Sequence, residues 1–169
     1  SFSLESVNED EYLTRIRKKS ASLFRAATYC GALAGGGSQR EVHSLTMFGE
    51  YFGMAYQLRD DLLDLTSLEG SLLKDLKSGS LTLPLIHLYE VSEQREKERL
   101  KSDLNALIEG RKDLEKDVTA RILELLVASR SLEYCRDKIE EYIARSTNII
   151  SQPIDSEPKA HLIEMAKSL

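Results

Sequence analysis

The amino-acid sequence predicts an all-α chain, and three observations carry that reading. Apolar residues recur at spacings of three and four, and short alternating β-branched runs with tight turns are nearly absent. The breakers are sparse: the prolines are Pro84, Pro153 and Pro158, and no glycine follows Gly110.

The elements follow in order. A first helix is expected from about Asn8 to Leu33, opened by a Ser6/Glu9 capping-box pattern and stopped by the Gly35-Gly36-Gly37 run. A second starts on another capping-box pair, Ser38 and Glu41, and carries apolar residues to about Leu65. Between Thr66 and Leu81 the pattern loosens around Gly70 and Gly79. Pro84 then suits the first turn of a short helix, where its missing N–H does no harm. Further helices are expected at about Ser92–Glu109, Leu114–Ser129 and Ser131–Ile149. Their buried faces are marked by Val118, Ile122 and Leu125, and by Leu132, Cys135, Ile139 and Tyr142. Pro153 breaks the chain before a last helix ending near Leu169.

At 169 residues there is room for one domain, and residues 1–169 are read as a single helical segment. Hydrophobic residues make up 41% and charged residues 30%, the composition of a globular chain. The formal net charge of −5 argues against a general nucleic-acid binder, whose affinity comes largely from excess positive charge. No apolar run approaches the roughly 20 residues of a membrane helix. Two cysteines, Cys30 and Cys135, fit neither a disulfide scaffold nor a zinc site, so they are expected to be small buried hydrophobes in a reducing, cytoplasmic setting. His43, His87 and His161 stand at no ligand spacing. The chain opens on Ser1 without an initiator Met or a secretory leader, which reads as a trimmed N-terminus or as a piece of a longer protein.

One stretch of the second helix carries chemistry: Gly49 through Tyr56, then Gln57-Leu58-Arg59-Asp60-Asp61-Leu62-Leu63-Asp64. Residues four apart stack on one helix face, so Gly53, Gln57, Asp60 with Asp61, and Asp64 are expected along one groove-facing line. Like charges at that spacing repel by several tenths of a kcal/mol. A divalent cation relieves that, and Mg²⁺ takes one or two carboxylates and fills its shell with water and phosphate oxygens. A solvated acidic face is the ordinary alternative for such a string. Upstream lies Lys18-Lys19-Ser20. Downstream, Lys74-Asp75-Leu76-Lys77 leads through Ser78-Gly79-Ser80 to a helix start at Pro84, a basic loop of the kind that closes over anions.

Taken together, these segments resemble the C-terminal half of the trans-isoprenyl diphosphate synthases, the family of farnesyl and geranylgeranyl diphosphate synthases. Tyr12 through Leu23 is similar to the family's Y…K-T-A…L segment, with Lys19-Ser20 in place of Lys-Thr. Gly31-Ala32 with Leu33-Ala34-Gly35 resembles the end of that helix. Phe48 through Asp64 resembles the second aspartate-rich motif, F-G…A-[FY]-Q-x-x-D-D-x-x-D. Asp75-Leu76…Gly79…Thr82-Leu83-Pro84-Leu85-Ile86 resembles D-L…G-K-x-T-L-P-L-I, and Ser131 through Cys135 resembles G-S-[IL]-E-Y-[AC].

The resemblance implies half of an isoprenoid-synthase helical bundle around a central cavity. It implies a prenyltransferase that condenses an allylic diphosphate with isopentenyl diphosphate, using Mg²⁺, to make a linear isoprenoid diphosphate of the geranyl, farnesyl or geranylgeranyl class. On that reading Asp60, Asp61 and Asp64 hold the metal, and Lys19 and Gln57 act on the substrate. Lys19, Ser20, Gln57, Lys74 and Lys77 bind it, and Phe52 and Tyr56 are candidates for the cavity wall, with buried core the favoured role for Phe52. A homodimer or a heteromeric synthase is implied by the same analogy.

The departures matter too. Only the second of the family's two aspartate-rich motifs is present, and Ser71 and Ser80 stand where lysines are usual. These changes favour, as the alternative, a non-catalytic or regulatory partner subunit of a heteromeric synthase. The wider-spaced Asn/Asp, Ser/Thr and Glu metal motif of class I terpene cyclases is absent. This segment alone is expected to be inactive and to expose Phe48, Phe52 and Leu58 as an apolar patch.

Overall fold

The computed structural model describes residues 8–66, 81–151 and 157–169. All the regular structure among them is helical. Asn8 opens α1 (Glu9–Ile16): its side-chain Oδ1 accepts the Glu11 N–H at 2.9 Å, the contact expected of an N-cap. The cap is therefore Asn8, while the Ser6 of the expected capping box lies outside the described residues. A π-helical turn, Arg17–Ala21, follows without interruption and leads into α2 (Ser22–Ala34). Periodicity had made this one regular helix; the wider turn is invisible to it, because one turn of i→i+5 bonding only nudges the phase of the apolar stripe.

Gly36 stops α2 at φ +70°, with its N–H on the Leu33 carbonyl and the Gly37 N–H on the Ala32 carbonyl. That is a Schellman closure, and Gly110 repeats it at φ +76° after the helix that ends at Ile108. α3 (Gln39–Thr66) begins on the expected capping box. The Ser38 N–H reaches Glu41 Oε2 at 2.7 Å, and the Glu41 N–H reaches back to Ser38 Oγ at 3.4 Å. These hydrogen bonds hold the Glu41 carboxyl below its ordinary range. Next come α4 (Leu83–Val91), with Pro84 in its first turn, α5 (Gln94–Ile108), α6 (Lys112–Ala128), α7 (Ser131–Ser151) and α8 (Glu157–Lys167).

The chain forms two compact units. One comprises Ser1–Tyr12 and Asp61–Cys135. Its core holds Tyr12, Leu83, Leu85, Ile86, Leu100, Leu104, Ile122 and Leu126, all buried. Leu126 takes the innermost place on α6, one residue beyond the expected Leu125. α7 and α1 are tied by Tyr134, whose hydroxyl donates to Glu9 at 2.5 Å, and the His87 ring stacks on Tyr134 with centroids 4.0 Å apart.

The other unit comprises Leu13–Asp60 and Arg136–Leu169. Phe48, Phe52, Ile150 and Ala166 form its centre, with Phe24, Ile149 and Leu162 packed around them. Two glycines let α3 lie directly on α2. A Cβ at Gly49 would stand 2.2 Å from Thr28 Oγ1, and one at Gly53 2.7 Å from the Ala21 Cα. Both therefore have a packing reason, since no side chain fits between the two backbones.

This packing corrects three expectations. Gly53 faces Ala21 and Phe24 and belongs to the helix–helix contact, not to a groove-facing line. Phe48, Phe52 and Leu58, expected to be exposed in this segment, are 1%, 6% and 0% exposed; around Phe48 and Phe52, α2, α7 and α8 supply a core. Cys135 is buried as expected, but Cys30 is exposed, on a helix of which Ala32 is the buried residue.

Candidate functional site

Asp60, Asp61 and Asp64 stand near the C-terminal end of α3. Asp60 and Asp64 are exposed, and Asp61 is half-buried. Asp61 is held from α1: the Tyr12 hydroxyl donates to its Oδ2 at 2.7 Å, and the Tyr12 side chain is fully buried. Asp61 is thus tied to α1.

Among the described residues no three His, Cys, Asp or Glu side chains converge to hold a metal ion. Helix geometry explains this, since neighbours such as Asp60 and Asp61 project about 100° apart around the axis. The donor set still fits Mg²⁺. Hard carboxylate oxygens suit a cation that needs only one or two of them and draws the remainder from water and phosphate.

Within the other unit, the π-helical turn carries Lys18 and Lys19, both exposed, and Ser20. The Ser20 hydroxyl donates to Gln57 Oε1. That contact sets the Gln57 amide plane. π-Turns inserted in α-helices are frequent at functional sites because they turn one or two side chains out of the regular register. Next to this turn, Glu50 of α3 takes Arg17 Nε at 3.2 Å and an Arg25 guanidinium nitrogen at 3.4 Å, and its own side chain is only 12% exposed. The Glu50 carboxylate thus braces both sides of the π-turn. The structure brings Ser20 and Gln57 together. Phe52 is core, and Tyr56 remains 42% exposed with its ring 5.3 Å from that of Phe24.

Lys74 and Lys77, with Ser71 and Ser80, lie outside the described residues. In the sequence, Tyr12 stands only as the start of a motif, and Glu50 carries no assigned role. Neither has a local signal: a buried Tyr at helical spacing looks like core, and a lone Glu looks like surface. A groove of about 720 Å³ lies elsewhere on the α2–α3 hairpin, lined by Arg25, Tyr29, Leu33, Val42, His43 and Thr46 among others, away from the acidic cluster.

Known proteins match both the sequence and this arrangement. Over 104 residues the chain is 41% identical to a short chain isoprenyl diphosphate synthase of Methanothermobacter thermautotrophicus, covering 59% of this chain and 32% of the relative. Over 90 residues it is 46% identical to heptaprenyl diphosphate synthase component 2 of Geobacillus stearothermophilus, covering 51% of this chain and 28% of the relative. A polyprenyl synthase from Caulobacter crescentus CB15, solved in complex with calcium and isoprenyl diphosphate, superposes with a TM-score of 0.81 at 27% identity, over 98% of this chain and 50% of that one. The chain thus spans half or less of the length of these relatives. Together with a match of the polyprenyl synthetase family profile to residues 2–126, this places the chain in the polyprenyl synthetase family.

Proposed function

We propose that this chain supplies the second metal-and-diphosphate wall of a prenyltransferase that condenses an allylic diphosphate with isopentenyl diphosphate to make a linear isoprenoid diphosphate. Product length is left at the geranyl, farnesyl or geranylgeranyl class. The observation that carries this reading is the acidic end of α3, with Asp61 anchored by Tyr12 between the exposed Asp60 and Asp64. Asp60, Asp61 and Asp64 would hold Mg²⁺ in this protein. The bound cation supplies charge neutralisation of the leaving diphosphate. Lys19 and Gln57 would act on the diphosphate substrate and bind it together with Ser20, whose hydroxyl donates to Gln57 Oε1. The relative solved with calcium and isoprenyl diphosphate supports this choice of ligands. The site works in a soluble, cytoplasmic enzyme, as a homodimer or within a heteromeric synthase. No helix among the described residues is long and apolar enough to cross a membrane.

In the intact protein, Asp60→Ala lowers turnover by on the order of 10²-fold or more, the scale for losing a preorganised electrostatic contact. The melting temperature is unchanged or raised, because an exposed acid leaves a like-charge cluster. Unchanged turnover would overturn the assignment. Residues 1–169 alone turn over no substrate, since the wall that faces this one is not among them.

A second reading is a partner subunit that has given up the chemistry. Two observations favour it: the serines Ser71 and Ser80 at positions where the family carries lysines, and the similarity to a synthase relative named as one component of a pair.

A further inference from the structure

The π-turn meets α3 at three successive levels, all inside one compact unit. The Ser20 hydroxyl donates to Gln57 Oε1, and Ala21 lies against Gly53. Glu50 takes Arg17 Nε at 3.2 Å and an Arg25 guanidinium nitrogen at 3.4 Å. Arg17 opens the turn and Arg25 lies four residues past its end, so the two pairs straddle Lys18, Lys19 and Ser20. Within the turn, the Ser22 N–H bonds to the Arg17 carbonyl five residues back, and the Ser22 hydroxyl to the Lys18 carbonyl at 2.7 Å. Bonding of this i→i+5 kind is rare and survives mostly as single turns, so contacts from outside the helix bear on it. Charge adds to the demand. Arg15, Arg17, Lys18, Lys19 and Arg25 are close neighbours, and no Asp or Glu occurs from Tyr12 to Arg40. Their counter-charge comes from other elements, and Glu50, only 12% exposed, supplies it to Arg17 and Arg25 where salt screens less than in open solvent.

We propose that Glu50 is a positioning residue for diphosphate binding: by holding Arg17 and Arg25 it fixes the π-turn, and with it the way Lys19 and Ser20 are offered to a diphosphate. This rests on the reading of Lys19 and Ser20 as substrate-binding residues. An acid serving only to balance charge would matter to stability alone. Its loss would leave anion binding unchanged or, by freeing two guanidinium groups, make it tighter.

The test is calorimetric titration of the intact protein with inorganic pyrophosphate in the presence of Mn²⁺. Hydrogen exchange of the amides of residues 17–22 is followed alongside, in the metal-free protein. Glu50→Gln keeps the shape of the side chain and removes its charge. It is expected to weaken pyrophosphate binding by about 10-fold, well inside the 10²-fold that misplacing a working group by about 1 Å can cost, and to speed exchange in that segment. On a background of Lys19→Ala with Ser20→Ala the same change should do little further. Unchanged or tighter binding in Glu50→Gln, beside a clear loss in the Lys19→Ala, Ser20→Ala protein, overturns the role of Glu50 and leaves the diphosphate site standing. Unchanged exchange in residues 17–22 overturns it as well. So does an equal loss on both backgrounds, since Glu50 would then not act through the residues of the π-turn. Full pyrophosphate binding by the Lys19→Ala, Ser20→Ala protein overturns the diphosphate reading, and the role of Glu50 with it. Should Glu50→Gln fail to fold, Arg25→Gln removes one of the two pairs. A loss of binding that vanishes on the Lys19→Ala, Ser20→Ala background is then expected, and unchanged binding or an additive loss overturns the proposal.

Discussion

Gly53 lies so close to Ala21 that a Cβ added to it would stand 2.7 Å from the Ala21 Cα and 2.8 Å from a ring carbon of Phe24. This approach sets the spacing of α3 against the π-turn, and with it the reach of Ser20 to Gln57 one turn further along α3. A small residue here therefore governs the position of a polar contact it does not touch.

Gly53→Ala should destabilise the fold by about 1–3 kcal/mol, because the inserted methyl meets backbone that has to shift. Urea denaturation of the intact protein measures this. A change within about 0.5 kcal/mol would show that the two helices part without cost, contrary to the packing.

Arg130 is the described non-glycine residue with positive φ, at +56°, in the turn between α6 and α7. The left-handed conformation costs a residue with a Cβ about 1–2 kcal/mol, part of which a glycine returns through its freer unfolded chain. Arg130→Gly should raise stability by about 0.5–1 kcal/mol, with no effect on Mn²⁺ binding. The serine-led segment that follows resembles a family motif whose glycine falls at this position, so the substitution restores the residue the turn favours. Lower stability in denaturant would refute it.

Burial pushes the His87 imidazole below its ordinary value of 6.5, against the opposing pull of Glu90 and Glu9. The folded state therefore prefers the neutral ring, and the unfolded state binds the proton first as pH falls. Stability from this group is present above about pH 6.5 and is lost progressively below it. His87→Gln should flatten the decline in melting temperature between about pH 7 and pH 5.5, above the range where carboxylates titrate. An undiminished slope would rule out His87 as its source.

Lysines beside a diphosphate contribute charge-assisted hydrogen bonds worth about 1.5–3 kcal/mol each. If the chain serves an autonomous enzyme, Lys74→Ala or Lys77→Ala should weaken pyrophosphate binding by about 10- to 100-fold in calorimetry, and Ser80→Lys should tighten it. If it serves a subunit that has given up the chemistry, none of the three changes binding.

The sequence by itself determined the helices, their stops and the acidic motif, because these depend on contacts three to five residues apart. Ser38 with Glu41 and the glycines at 36 and 110 act wholly within such a range, and each behaves as the local pattern predicts. Asp60, Asp61 and Asp64 all fall near the end of α3. Tertiary structure alone decided that Asp61 meets Tyr12. The Tyr12 hydroxyl reaches Asp61 from 49 residues away, and Glu50 meets Arg17 and Arg25 across two helices. It also turned Gly53 inward and covered Phe48 and Leu58 from within the chain. Periodicity states which residues share a face; what that face meets depends on how the helices cross, and the crossing is set by packing between residues far apart in sequence.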